Sequence, residues 1–236
     1  MKSAFDLTGQ RVLITGAAAG IGAATAQICA SLGADLVLVD LKDASGVVNG
    51  ARALIADVSA RQDMERVAAE TGPVDALILN AAICPWNEDW QAPEWDESFE
   101  RVMKVNVLGP INAVRAFLPA MIARRAGRIV LVGSLAGRMG GLIAGPHYVA
   151  SKGGIHALVK WLARQAAPHN VLVNGIAPAS VETPMMDNQP VDLARIPLGR
   201  KGRPEEIAWP IAFLCSEAAS YMCGTVLDVN GGVYMS

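Results

Sequence analysis

Aromatic side chains are scarce in this sequence: Phe, Trp and Tyr make up 5% of 236 residues, and charged side chains only 18%. Apolar residues nevertheless reach 52%, and mean hydropathy is +0.32. So little charge on so apolar a chain excludes disorder over most of its length. The core must come mainly from Ala, Val, Ile and Leu, which suits strands buried on both faces of a parallel sheet. An excess of positive charge is also missing. The formal net charge is −2, so no basic field exists for a nucleic-acid backbone and no polybasic segment for a membrane surface. No apolar run reaches the ~18 residues of a membrane helix. The opening MKSAFDLTGQ carries Asp6 and no long apolar stretch, and does not read as a secretory signal. A cytoplasmic protein with neither nucleic-acid nor membrane partners is expected. The cysteines Cys29, Cys84, Cys215 and Cys223 form no C-x-x-C pair, and the last two have no His partners. They are expected to be small buried residues in a reducing compartment, with no metal.

What is present is an alternation of apolar runs and helical patterns. Residues 11–15, 36–40, 53–56, 76–80, 128–132, 171–176 and 226–229 read as seven strands. Helical stretches are expected near 21–32, 61–70, 96–124, 148–167 and 204–217. Strand, helix, strand repeated in this way predicts an α/β fold: a Rossmann-like, doubly wound, seven-stranded parallel sheet with helices on both faces. Length and the absence of a linker point to a single domain over 1–236. One crossover is short. Residues 41–50 join the second and third strands, fewer than the dozen or so a parallel crossover usually needs, so a turn of helix or a bare loop is expected. Residues 84–94 and 177–202 look irregular.

Thr15-Gly16-Ala17-Ala18-Ala19-Gly20-Ile21-Gly22 follows the first strand and opens the first helix. A pyrophosphate must approach backbone N–H groups and the positive end of a helix, and side chains would obstruct it. Gly16, Ala18, Gly20, Ile21 and Gly22 are therefore candidate cofactor contacts. Asp40 ends the second strand, about 20 residues on, where a carboxylate accepts ribose hydroxyls and repels a 2′-phosphate. NAD is expected to be preferred over NADP, although Lys42 leaves a cation near such a phosphate. Tyr148 and Lys152 stand at i and i+4, on one face of a helix. A cation beside a phenol favours the phenolate and lowers its pKa toward proton exchange with an alcohol. Ser134 lies just past the fifth strand, at the edge where open α/β sheets place ligands.

With these residues in place, the chain resembles the short-chain dehydrogenase/reductases over almost its whole length. Thr15 to Gly22 resembles the family's TGxxxGxG, Asp57 its adenine-binding Asp, Asn80-Ala81-Ala82-Ile83 its Asn-Asn-Ala-Gly, and Asn106 its helix Asn. Ser134, Tyr148 and Lys152 match its Ser, Tyr and Lys. Val173 to Pro178, Thr183-Pro184-Met185, Gly202 to Ala208 and Asn230-Gly231-Gly232 are similar to its later segments. The resemblance implies Tyr148 as general acid/base, Lys152 holding the nicotinamide ribose and lowering the phenol pKa, Ser134 orienting the substrate oxygen and Asn106 positioning a water that links Lys152 to solvent. It also implies that Asp57 and Val58 meet the adenine, that Asn80, Ala81 and Ala82 line the cofactor cleft, and that Pro178, Ala179, Val181 and Thr183 cover the nicotinamide. A homotetramer is implied too, for which Trp161, Trp209, Phe213 and Tyr234 are candidate interface residues. Three departures stand out. Ser134 to Tyr148 is one residue longer than usual, so 142–146 should bulge, while Ile83 and Ala179 replace glycines.

The substrate pocket is expected from Ile83, Cys84, Trp86, Leu135, Ile143, His147, Met185 and Met186. Most are apolar, which predicts a neutral, apolar or aromatic secondary alcohol and its ketone as the small-molecule substrate. His147 and the tryptophans Trp86, Trp90 and Trp95 read at least as well as packing residues. Two other readings remain. One is a 3-oxoacyl thioester reductase with Arg124, Arg125 and Arg128 as a carrier patch. The other is a nucleotide-sensing scaffold without catalysis.

Overall fold

A computed structural model of the protein describes residues 3–235. Its seven strands are β1 Arg11–Thr15, β2 Asp35–Asp40, β3 Arg52–Ile55, β4 Ala76–Leu79, β5 Gly127–Val132, β6 Val171–Pro178 and β7 Val226–Val229. They form one sheet in the order β3-β2-β1-β4-β5-β6-β7, every neighbouring pair parallel. Side chains alternate between its faces. Val12, Ile14, Leu38, Ile78 and Val130 pack on α1 (Gly20–Ser31) and α7 (Pro204–Cys215). Leu13, Val37, Leu77, Ile129 and Leu131 pack on the opposite layer. That layer contains α2 (Arg61–Thr71), α4 (Gly109–Arg124) and α6 (Pro146–Ala166). Burial on both faces is why the strands are apolar without interruption.

The first α/β crossover order reverses between β1 and β4, so the carboxyl ends of those two strands diverge and open a crevice. The β2–β3 crossover is a bare loop of turns. The strand at 171 runs two residues further than the apolar run suggested, to Pro178. The helical pattern at 96–124 is α3 (Trp95–Met103), a π-type turn Lys104–Leu108 and α4 in one continuous run. By length and composition this run could cross a membrane. It lies instead over the sheet. Ala113, Val114, Phe117 and Met121 are buried, and the Asn112 side-chain amide donates to the carbonyls of Val58 and Ser59, both at 3.1 Å.

The long connection from Ser134 to Tyr148 contains the short helix α5 (Ala136–Met139) and then a tight turn. Gly140 and Gly141 follow each other at φ +88° and +74°, a left-handed pair that only glycine takes readily. Three cysteines are buried, but Cys223 is exposed, against the expectation for all four. It sits in the exposed turn before β7 rather than in a core element.

Candidate active site

The crevice begins with three glycines, each needed for a different reason. Gly16 has φ +66°, and a Cβ there would stand 2.7 Å from Ala81 Cα. A Cβ on Gly22 would collide with the Gly16 carbonyl oxygen. Gly20 has φ +56° and faces Thr183, whose Cγ2 lies 3.1 Å from the position of a Cβ. The loop is pinned from below. Thr15 Oγ1 accepts the N–H groups of Asn80 and Ala81 at 3.1 and 3.2 Å, and Asn80 Nδ2 donates to the carbonyls of Thr15 and Gly16. Helix α1 starts at Ala19 with no side-chain cap and no acid in its first turn, so its free N–H groups and positive end face the crevice. Asp40 accepts N–H bonds from Ala18 and Lys42, both at 3.0 Å. It is thus tied into the loop rather than left to solvent. A small-residue cradle at a helix start with a carboxylate one strand away fits a nicotinamide dinucleotide.

The other expected cofactor residues sit along the same carboxyl edge. Asp57 accepts the Ser59 N–H at 2.8 Å, and Val58 is packed under Gly109. Ala179 donates its N–H to Val229, and Val181 is bridged to Gly202. Ile21, Ala82 and Pro178 border these segments in sequence.

Across the crevice, Ser134, Tyr148 and Lys152 converge. Gly133 N–H donates to the Ile176 carbonyl and Leu135 N–H to that of Pro178, both at 2.7 Å, which holds Ser134 beyond the strand ends. The Ser134 hydroxyl accepts the Ala136 N–H at 3.1 Å, and Ser134 lines the same cleft as the Tyr148 phenol. Lys152 is 3% exposed. Its Nζ donates to the Val132 carbonyl at 2.8 Å and stands 5.6 Å from the Tyr148 ring centroid. Asn106, 1% exposed, lies in the π-type turn, a distortion that often marks a functional residue. Its Oδ1 accepts the Ile83 N–H, and its Nδ2 donates to the Ile83 carbonyl and to Ser151 Oγ. Ser151 in turn donates to the Tyr148 carbonyl at 2.8 Å.

Burial sets the electrostatics here. The expected lowering of the phenol pKa is not found. Desolvation pushes Tyr148 up, the Cys84 thiol adds to this, and the Ser134 hydrogen bond opposes them. Desolvation likewise brings Lys152 down to about 8, and drives Cys84 up to about 12. The ammonium is drawn to a backbone carbonyl rather than to the phenol oxygen, and desolvation penalises either charge alone. Tyr148 is therefore held as the neutral acid.

Beside Ser134 and Tyr148 opens a cleft of about 230 Å³. Trp86, Leu135, Ile143, Met185 and Met186 line it, as expected. Trp86 also donates its indole N–H to the Met185 carbonyl at 2.9 Å. Three expected residues are not among its lining. Cys84 is buried. Ile83 is turned to Asn106 through its backbone, and His147 is fully buried behind the cleft, between Trp95 and Glu88. Sequence reasoning missed Met139, Asp192 and Val233. Arg195 and Asp192 lie 3.7 Å apart on the covering segment. The Gly231-Gly232 turn brings Val233 in by packing on Ile196 and Pro197, a long-range contact with no local signature.

The proposed carrier patch is placed away from this cleft. Arg128 is the second residue of β5, and so lies near the amino edge of the sheet. It pairs with Glu217, Arg124 with Asp75, and Arg125 donates to the Pro168 carbonyl.

Comparison with known proteins bears on this geometry. The family model for enoyl-(acyl carrier protein) reductase matches residues 16–234. A 3-oxoacyl-[acyl-carrier-protein] reductase from Thermotoga maritima is 36% identical, over 96% of this chain and 98% of its own. A galactitol 2-dehydrogenase (L-tagatose-forming) from Cereibacter sphaeroides is 38% identical, over 98% and 97%. A crystal structure from Agrobacterium tumefaciens with bound NADP superposes with a TM-score of 0.90 at 32% identity, over 98% and 99%.

Proposed function

This chain belongs to the short-chain dehydrogenase/reductase family and is an oxidoreductase acting on CH–OH groups, and from that premise we propose that it transfers a hydride between NAD(H) and a neutral, apolar or aromatic secondary alcohol and its ketone. The observation that carries the reading is the convergence of Ser134, Tyr148 and Lys152 beside the glycine cradle. The nicotinamide, when bound, supplies or takes up the hydride. Ser134 holds the substrate oxygen by its hydroxyl. Tyr148, kept neutral by desolvation, gives its proton to that oxygen during reduction and recovers it during oxidation. Lys152 offsets the charge of the phenolate left behind. Asn106 fixes the helix that carries both through Ser151.

Asp40 supports NAD over NADP, because its carboxylate stands one hydrogen bond from the loop at Ala18 and would repel a 2′-phosphate. The methionines, Trp86, Leu135 and Ile143 support an apolar substrate. A second reading, a 3-oxoacyl thioester reductase, is favoured by the names of several relatives. Against it, the three arginines read as a carrier patch are engaged elsewhere, at the opposite edge of the sheet. We further read the protein as a cytoplasmic homotetramer. Trp161 and Trp209 are half-exposed apolar surface for such contacts, whereas Phe213 packs on Phe5 of the same chain.

The test is a panel of secondary alcohols, their ketones and 3-oxoacyl thioesters, followed at the nicotinamide absorbance band with NAD and NADP. The expected result is turnover of neutral alcohols with at least tenfold higher kcat/KM for NAD. Turnover confined to thioesters with NADPH would select the second reading. Intact NAD binding without any turnover would indicate a nucleotide-sensing scaffold.

A further inference from the structure

His147 is a buried, titratable ring that the reaction above does not use. It is fully excluded from solvent and immediately precedes Tyr148. Helix α6 begins at Pro146 after Gly145, which has no side chain to cap the first turn. His147 fills that role from inside the helix. Its Nδ1 accepts the Tyr148 N–H at 2.8 Å, one of the donors that a helix start leaves without an intrahelical partner.

That bond dictates the ring's tautomer. Nδ1 offers a lone pair, so the neutral ring carries its hydrogen on Nε2. Nε2 points at Glu88 Oε2, 3.1 Å away. Burial works against the Glu88 charge, but the hydrogen bonds from Ser98 and His147 outweigh it and hold the carboxyl below its usual range. The carboxylate is therefore a charged acceptor, and Ser98 Oγ donates to its other oxygen at 3.0 Å. The ring plane is also fixed. Trp95 stacks on it at 5.3 Å between centroids. Gly145 leaves it room, since a Cβ there would stand 2.7 Å from His147 Cε1.

We propose that His147, oriented by Glu88, is a positioning residue for Tyr148: it anchors the backbone amide of the proton donor to the wall of the substrate cleft. The same wall carries Trp86, which is bonded to the Met185 carbonyl of the covering segment. A continuous path of hydrogen bonds and short chain thus runs from the cover, through Trp86 and Glu88, to the start of the catalytic helix. Orientation is where such a bond acts. A displacement of about 1 Å in a reacting group costs up to about a hundredfold in rate.

The inference rests on the reaction proposed above, and two substitutions separate its parts. Asn at 147 places Oδ1 near the position of Nδ1, keeping an acceptor for the Tyr148 N–H while losing Glu88. Gln reaches Glu88 with its amide and loses the acceptor. His147→Asn is expected to keep kcat within about threefold and to leave the Tyr148 amide protected from hydrogen exchange, followed by NMR. His147→Gln is expected to lose about tenfold or more in kcat at unchanged NAD affinity, with the Tyr148 amide exchanging faster by a similar factor. Glu88→Gln, which retains an acceptor for Nε2–H, should exceed Glu88→Leu in kcat. Equal behaviour of His147→Asn and His147→Gln in both readouts would overturn the proposal and leave only a packing role against Trp95. Should the unmodified protein turn over nothing in the panel, the reaction fails, and the exchange rates alone then decide for or against the anchor.

Discussion

Replacing Lys152 by Met is expected to make the protein more stable and inactive. The ammonium is 3% exposed, and burial lowers its pKa from 10.5 to about 8. Each pKa unit corresponds to about 1.4 kcal/mol, so the native state carries a penalty of roughly 3 kcal/mol for keeping this charge. Because the folded pKa lies below the unfolded one, the penalty is complete below about pH 8. It fades as the native state sheds its proton first, and vanishes above 10.5. Met keeps the length of the side chain without the charge. It also leaves the Val132 carbonyl without the donor at 2.8 Å, a loss of about 1 kcal/mol. The net gain is about 2 kcal/mol near neutral pH, or about 4–8 °C in Tm for a chain of this size. Urea unfolding of both proteins between pH 6.5 and 10.5 checks it. The gap in stability should be widest at the lower pH and should close, then reverse slightly, at the upper. A destabilised variant at pH 7, or a gap that does not change with pH, would refute the reasoning.

Tyr148→Phe should abolish turnover while NAD affinity, measured calorimetrically, stays within about threefold, since the phenol works on the substrate oxygen. Gly137→Ala should reduce both stability and kcat. The new Cβ would stand 2.7 Å from the Lys152 backbone, and moving α6 away costs about 1–3 kcal/mol and a kcat loss of about tenfold or more. Wild-type unfolding midpoint and kcat would contradict this. Thiol alkylation of the native protein at pH 7.5 should label Cys223 alone, because burial encloses the other three, raises Cys29 and Cys84 to about 12 and holds Cys215 well above the usual thiol value. Peptide mass mapping reads the result, and modification of Cys84 in the folded protein would show that the cleft opens.

Much of the fold was legible because its signals are local. Uninterrupted apolar runs such as Val12-Leu13-Ile14 and Val130-Leu131-Val132 belong to strands with helices on both sides. The glycines at 16 and 22 are demanded by backbone contacts across one strand or within a few residues, and Tyr148 and Lys152 share a face by helical period alone. Orientation and environment were another matter. That His147 faces Glu88 instead of the substrate joins residues far apart in the chain. Val233 reaches the cleft only because the tail folds onto Ile196 and Pro197. The arginines at 124, 125 and 128 look like a free basic patch until their partners Asp75, Pro168 and Glu217 arrive from other elements. The phenol pKa went opposite to expectation for the same reason. Spacing along a helix says which groups are neighbours, but the cost of their charges depends on how much protein is packed over them, and that is decided only when the sheet, α5 and the covering segment close around the site.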